Sequence, residues 1–250
     1  MRNFEIAFVL STIAGLSTFI GTLLVFVKKI NKNLMIISSL SFASGVMFFL
    51  SFTDLIPEGF KFLINYYTEL FSIILSFVVF VLGVCVSFTM DKIMPSLNCD
   101  NNKLYKIGIF SMIVIAMHNI PEGMITFITS SKDTLLGLKL VISIALHNIP
   151  EGISIALPIY YSTGSKRKAF LYTFISAVSE PLGALITFLF LRDYISNLFM
   201  GLLLNLVGGI MIYIALYELL PTSFKYKKKK LSIVFFLLGI IFVSVCGFLF

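Results

Sequence analysis

Eight apolar runs, each long enough to cross a bilayer, take up most of this sequence. A helix that spans the hydrocarbon core needs about 20 mostly apolar residues. The runs cover roughly 4–27, 33–56, 69–90, 104–130, 135–160, 169–191, 195–221 and 231–250. Only short connections remain, so no water-soluble domain of ordinary size fits between them. Composition agrees: 58% of residues are hydrophobic and 12% charged, against about 25% charged in a soluble domain. A soluble enzyme of this length would lack the polar skin it needs. Lipid offers no partner for a free N–H, and the runs lack the alternation of barrel strands, so helices are expected. The expected fold is an all-α polytopic membrane protein, a single eight-helix bundle over residues 1–250.

The chain carries 19 Lys and Arg against 12 Asp and Glu, a net charge of +7. In a membrane protein such an excess marks loop orientation rather than nucleic-acid binding. The loops after spans 1, 3, 5 and 7 hold Lys28, Lys29, Lys32, then Lys92, Lys103, Lys106, then Lys166, Arg167, Lys168, then Lys225 and Lys227 to Lys230. The opposite side holds only Arg2, Lys61, Lys132, Lys139 and Arg192. This bias puts the odd-numbered loops in the cytoplasm and both termini outside. The run KYKKKK at 225–230 is read as a topology anchor beside the lipid surface. Cys85, Cys99 and Cys246 form no CxxC and no disulfide framework. The N-terminal run has no small-residue cleavage site and is read as a retained span.

Several acids fall within the apolar runs or at their ends: Asp54, Glu58, Glu122, Glu151, Glu180 and Glu218. A charge at the bilayer centre costs at least about 2.5 kcal/mol, so such residues are functional suspects. Glu58, near a span end, also fits a snorkelling side chain. The only two histidines, His118 and His147, each open the same hexapeptide, HNIPEG, at 118–123 and 147–152. His118 and Glu122 are four apart and share a helix face, as do His147 and Glu151. Asn119 and Asn148 turn about 100° away and suit an adjoining site. Pro121 and Pro150 lack an N–H and are expected to kink each helix. Gly123 and Gly152 allow close helix approach.

Two imidazoles and two carboxylates suit a divalent transition metal such as zinc or ferrous iron better than magnesium or calcium. The short loop between spans 4 and 5 makes them antiparallel neighbours, so the two strings face each other about a pseudo-two-fold axis. Midplane sites at such repeat interfaces are a habit of secondary transporters. Span 6 adds Ser-Glu-Pro-Leu-Gly-Ala at 179–184, which makes Glu180 a third carboxylate. With Asn119 and Asn148 it could hold a second cation, bridged by Glu122 and Glu151. A second repeat aligns 45–58 with 209–222: Gly45 meets Gly209, Asp54 meets Glu218 and Pro57 meets Pro221. By the inverted topology Asp54, with Glu58, lies near the outer face for metal intake, and Glu218 near the cytoplasmic face for release.

These motifs resemble the ZIP (Zrt/Irt-like) family of metal-ion transporters, in particular its bacterial ZupT-type branch. The resemblance covers nearly the whole chain. It implies import of divalent metal, zinc first and iron, manganese or cadmium besides, in a bacterial cell membrane. It also implies a binuclear site at His118, Asn119, Glu122, His147, Asn148, Glu151 and Glu180, with no catalytic cofactor and with homodimerisation open. Many relatives carry a histidine-rich loop between spans 3 and 4; the loop here, about 91–103, has no histidine. A membrane dimetal enzyme is the competing reading, but bundle oxidases favour Glu-x-x-His, and HExxH is absent. No Walker A string is present, so movement is expected to be passive or ion-coupled.

Overall fold

A computed structural model describes residues 2–26, 31–93, 103–191 and 196–249. Lys28, Lys29, Cys99, Arg192 and most of the loop at 91–103 lie outside the described residues. No strand occurs among the described residues. Eight helices are long and apolar enough to cross a membrane: α1 Asn3–Phe26, α2 Lys32–Leu63, α3 Glu69–Ile93, α4 Leu104–Lys132, α5 Thr134–Thr163, α6 Lys166–Phe190, α7 Asn197–Phe224 and α8 Lys229–Cys246. One of them, α2, departs plainly from the run expected at 33–56. Helix α2 runs on to Leu63, because the helix outlasts its apolar window. Its last turns carry Asp54, Glu58 and Lys61, which line a cavity.

Polar residues between the spans start the helices. Asn31 Oδ1 accepts from the backbone N–H of Asn33 (2.9 Å) and Leu34 (3.4 Å) and caps α2. Ser165 caps α6 through Lys168 N–H, and Ser196 caps α7 through Phe199 N–H. Asp133 alone joins α4 to α5, and its Oδ1 accepts from Leu135 N–H (2.9 Å) and Leu136 N–H (3.0 Å). These bonds satisfy backbone donors that a helix start leaves free.

Helix α4 packs on α6, α5 and α1, and α5 packs on α1. This inner group is flanked by two pairs, α2 with α8 and α3 with α7, while α2 also meets α5 and α7. Helix α3 is inside out by soluble standards. It buries Ser72, Ser76, Gly83 and Ser87 and exposes Leu70, Phe71, Phe77 and Leu82. Lipid is as apolar as leucine, so small residues go to the helix contacts and large apolar ones outward.

The two flanking pairs repeat one another. A Cβ on Gly45 of α2 would strike the carbonyl oxygen of Phe236 on α8, and one on Gly209 of α7 would strike that of Phe80 on α3. The reciprocal contacts, Gly239 against Phe42 and Gly83 against Leu206, repeat in the same way. Gly45 and Gly209 are the residues that the sequence alignment pairs. Each helix then opens into a π-helical turn, Ser51–Leu55 and Ile214–Leu219, that holds Asp54 or Glu218 just before Pro57 or Pro221. A proline removes a hydrogen bond and crowds the carbonyl four residues back, and a widened turn accommodates both.

Candidate metal centre

Helices α4 and α5 bring the two HNIPEG strings together in the inner group. Each helix runs unbroken through its proline. His118, Glu122 and His147 each offer a ligand atom within 4.8 Å of the others, and all three are buried. His147 Nε2 lies 2.8 Å from Glu122 Oε1. His118 Nε2 lies 3.5 Å from Glu122 Oε2 and 3.7 Å from Glu151 Oε1. The i, i+4 spacing therefore holds for His118 and Glu122, and the tightest pair reaches across from one helix to the other. Glu151 joins the group through His118.

The asparagines serve the flank, as their angular offset requires. Asn148 Nδ2 donates to Glu180 Oε2 (2.9 Å) and to the carbonyl oxygen of Ala14 (3.1 Å). Asn119 Nδ2 donates to the carbonyl oxygen of Ser176 (3.2 Å). Glu180, Asn119, Asn148 and Glu151 are all fully buried. Close crossings put them there. A Cβ on Gly123 would strike the Glu180 carbonyl oxygen, and one on Gly152 would strike that of Thr18.

Many polar atoms in this cluster lack a hydrogen-bond partner among the described residues. They are both His118 ring nitrogens, His147 Nδ1, Glu122 Oε2, both Glu151 oxygens, Asn119 Oδ1, Asn148 Oδ1 and Glu180 Oε1. A buried polar atom left unsatisfied costs about 1–3 kcal/mol. Clustered imidazole nitrogens and carboxylate oxygens of this kind form a donor set suited to a divalent transition metal.

A cavity of about 540 Å³ leads to the cluster. Its lining includes His118, Glu122 and His147, then Asp54, Glu58, Lys61 and Lys139 toward the loops after α2 and α4. Asp54 is exposed within it. Glu58 is half exposed and its Oε2 pairs with Lys61 Nζ at 2.9 Å. Glu218 is partly buried and stays apart from the cavity lining. At the other end Lys106 Nζ of α4 meets Asp91 Oδ1 of α3 (3.0 Å), and Tyr213 of α7 donates to Asp91 Oδ2 (3.3 Å).

The family model described as ZIP Zinc transporter matches residues 98–247. Over 98% of its length the chain is 37% identical to the zinc transporter ZupT of Streptococcus mutans, covering 97% of that protein. The ZupT of Clostridium perfringens is 35% identical over 100% of this chain and 98% of its own. That of Nitratidesulfovibrio vulgaris is 35% identical over 99% and 98%. The chain belongs to the ZIP zinc transporter family.

It is thus a multi-pass membrane protein of a family of transporters, not of enzymes. The segment matched to the ZIP model contains both HNIPEG strings and SEPLGA, and it leaves α1, α2 and α3 outside. Helix α1 nonetheless contributes to the centre, through the Ala14 carbonyl and the Thr18 crossing. Motif reading missed it, because α1 carries no charged or imidazole residue at this depth. The signal was there in weaker form: AGLSTFIG at 14–21 runs parallel to SAVSEPLG at 176–183.

Proposed function

We propose that this chain imports zinc into the cytoplasm, and ferrous iron, manganese or cadmium with less preference. The whole chain, 1–250, works as one transport unit with both termini outside. His118, Glu122, His147 and Glu151 hold the primary ion. Asn119, Asn148 and Glu180 complete an adjoining position, with Glu122 and Glu151 between the two. The observation that carries this reading is the set of buried, unpartnered nitrogen and oxygen atoms clustered around the His118, Glu122 and His147 that line the cavity. Those atoms lose their burial penalty when a cation binds. Relatives at 35–37% identity over nearly the full chain bear the name of zinc transporters, which favours zinc as cargo. Asp54, exposed in the cavity, draws cations in from the outer face; Glu58 contributes less because Lys61 offsets its charge. Glu218, its counterpart in the other repeat, receives them on the cytoplasmic side. Metal flux into proteoliposomes holding the purified chain tests the reading. Zinc-dependent filling of the vesicles is expected, and vesicles no more permeable to zinc than protein-free ones would overturn it.

A further inference from the structure

The inner helices repeat contact for contact. Asn119 Nδ2 donates to the Ser176 carbonyl, and Asn148 Nδ2 donates to that of Ala14. Ser179 Oγ returns to the Ser176 carbonyl, and Ser17 Oγ to that of Ala14. Gly123 lies against the Glu180 carbonyl and Gly152 against that of Thr18. Gly183 lies against the Ile120 carbonyl and Gly21 against that of Ile149. These four pairs of contacts set α1 on α5 as α6 is set on α4, in one register. Thr18 is therefore the counterpart of Glu180, and Asn119 that of Asn148.

Chemistry breaks the match where Glu180 meets Asn148. Asn148 has the Glu180 carboxylate as partner at 2.9 Å. Asn119 has a threonine in that place. Thr18 is fully buried, and its hydroxyl finds no hydrogen-bond partner among the described residues. A buried helical threonine ordinarily bonds the carbonyl three or four residues back. Thr22, Thr173 and Thr187 do so here, to Phe19, Ala169 and Gly183, whereas Thr126, like Thr18, does not. Asn119 Oδ1 is likewise buried and unpartnered. Two free acceptor oxygens thus stand where the other side has an amide and a carboxylate.

We propose that Thr18 and Asn119 form a latent mirror of the Asn148–Glu180 subsite for a divalent cation, and that the absence of a carboxylate at position 18 limits the centre to a single second-ion position. The proposal rests on the reading of Glu180 as a ligand. Neutral oxygens can share a hydrated ion, but they cannot offset its charge in a buried place. The protein therefore builds the position twice in backbone and completes it once in charge.

Zinc bound per chain, measured by elemental analysis of the detergent-purified full chain equilibrated with zinc, tests this together with vesicle uptake. Glu180→Thr loses one zinc relative to wild type and lowers uptake at limiting zinc about tenfold or more. Thr18→Glu in the wild-type background gains one. The swap Thr18→Glu/Glu180→Thr regains the wild-type number and most of the uptake. Thr18→Gln, which adds bulk without charge, leaves the number unchanged. Where Thr18→Glu does not assemble, Thr18→Asp in the Glu180→Thr background replaces it. A swap that folds but binds and transports no better than Glu180→Thr overturns the mirror and leaves the role of Glu180 standing. Failure of both acidic variants to assemble also overturns it, since the position should accept a carboxylate. Wild-type binding and uptake in Glu180→Thr would instead overturn the reading of Glu180.

Discussion

Glu122 of one HNIPEG string lies 2.8 Å from His147 of the other, closer than the 3.5 Å to its own helix's His118. The counterpart across the repeat, His118 to Glu151, is 3.7 Å. The two strings are thus interlocked by crossed imidazole–carboxylate pairs, so each carboxylate bears on both helices.

Loss of either carboxylate would remove a proposed ligand and leave a buried imidazole without its counterpart. Glu122→Ala and Glu151→Ala should each lower zinc uptake at wild-type expression by about tenfold or more. Glu122 should be the more sensitive, because it lies against both histidines. Radiozinc uptake into cells or vesicles measures this; wild-type flux in both variants would remove the centre from the transport path.

In the proposed adjoining position Glu180 adds oxygen beside the amides, harder donors than imidazole. Glu180→Ala should alter the order of metal preference more than it alters folding. Competition of zinc uptake by iron, manganese and cadmium reports the order. An unchanged order at full activity counts against the adjoining position.

Along the cavity, the two acids proposed for metal intake should differ. Asp54→Ala should raise the apparent KM for external metal with little change in kcat, and Glu58→Ala should do less because Lys61 already offsets its charge. Glu218→Ala should slow turnover instead. A cysteine at 54, in a chain with Cys85, Cys99 and Cys246 replaced, should react with impermeant reagent from outside. Reaction only from the cytoplasm would reverse the proposed orientation.

The glycine crossings predict stability. In Gly123→Ala and Gly152→Ala the new methyl would press on a backbone carbonyl oxygen rather than a movable side chain. Overpacking of this kind costs about 1–3 kcal/mol, and the melting temperature in detergent should fall. Gly164→Ala meets open space but forces alanine to φ +67°, at about 1–2 kcal/mol. A melt unaffected in the first two would mean that α4 and α5 can back away from their neighbours.

Much of this was legible before any coordinates. Eight membrane-length helices follow from hydropathy because lipid leaves helices as the simplest way to satisfy the backbone. His118, His147 and the two glutamates stood out because a repeated hexapeptide at membrane depth has few structural causes. Less legible was the pairing of Glu122 with His147, since spacing along one helix says nothing about reach to the next. The run of α2 to Leu63 was hidden because its last turns carry Asp54, Glu58 and Lys61 and so read as the end of a span. Thr18 was invisible because a threonine in an apolar run is ordinary; only its shared register with Glu180 gives it meaning.

Asp133, the single residue between α4 and α5, has a mechanical consequence. With no slack in the connector, and with Gly137 pressed against Ser130 beside it, the two helices cannot slide past one another by even a turn. The crossed imidazole–carboxylate pairs are therefore carried as a unit. Cargo held between these helices would be passed on by a change in what surrounds the pair, not by prising the pair apart.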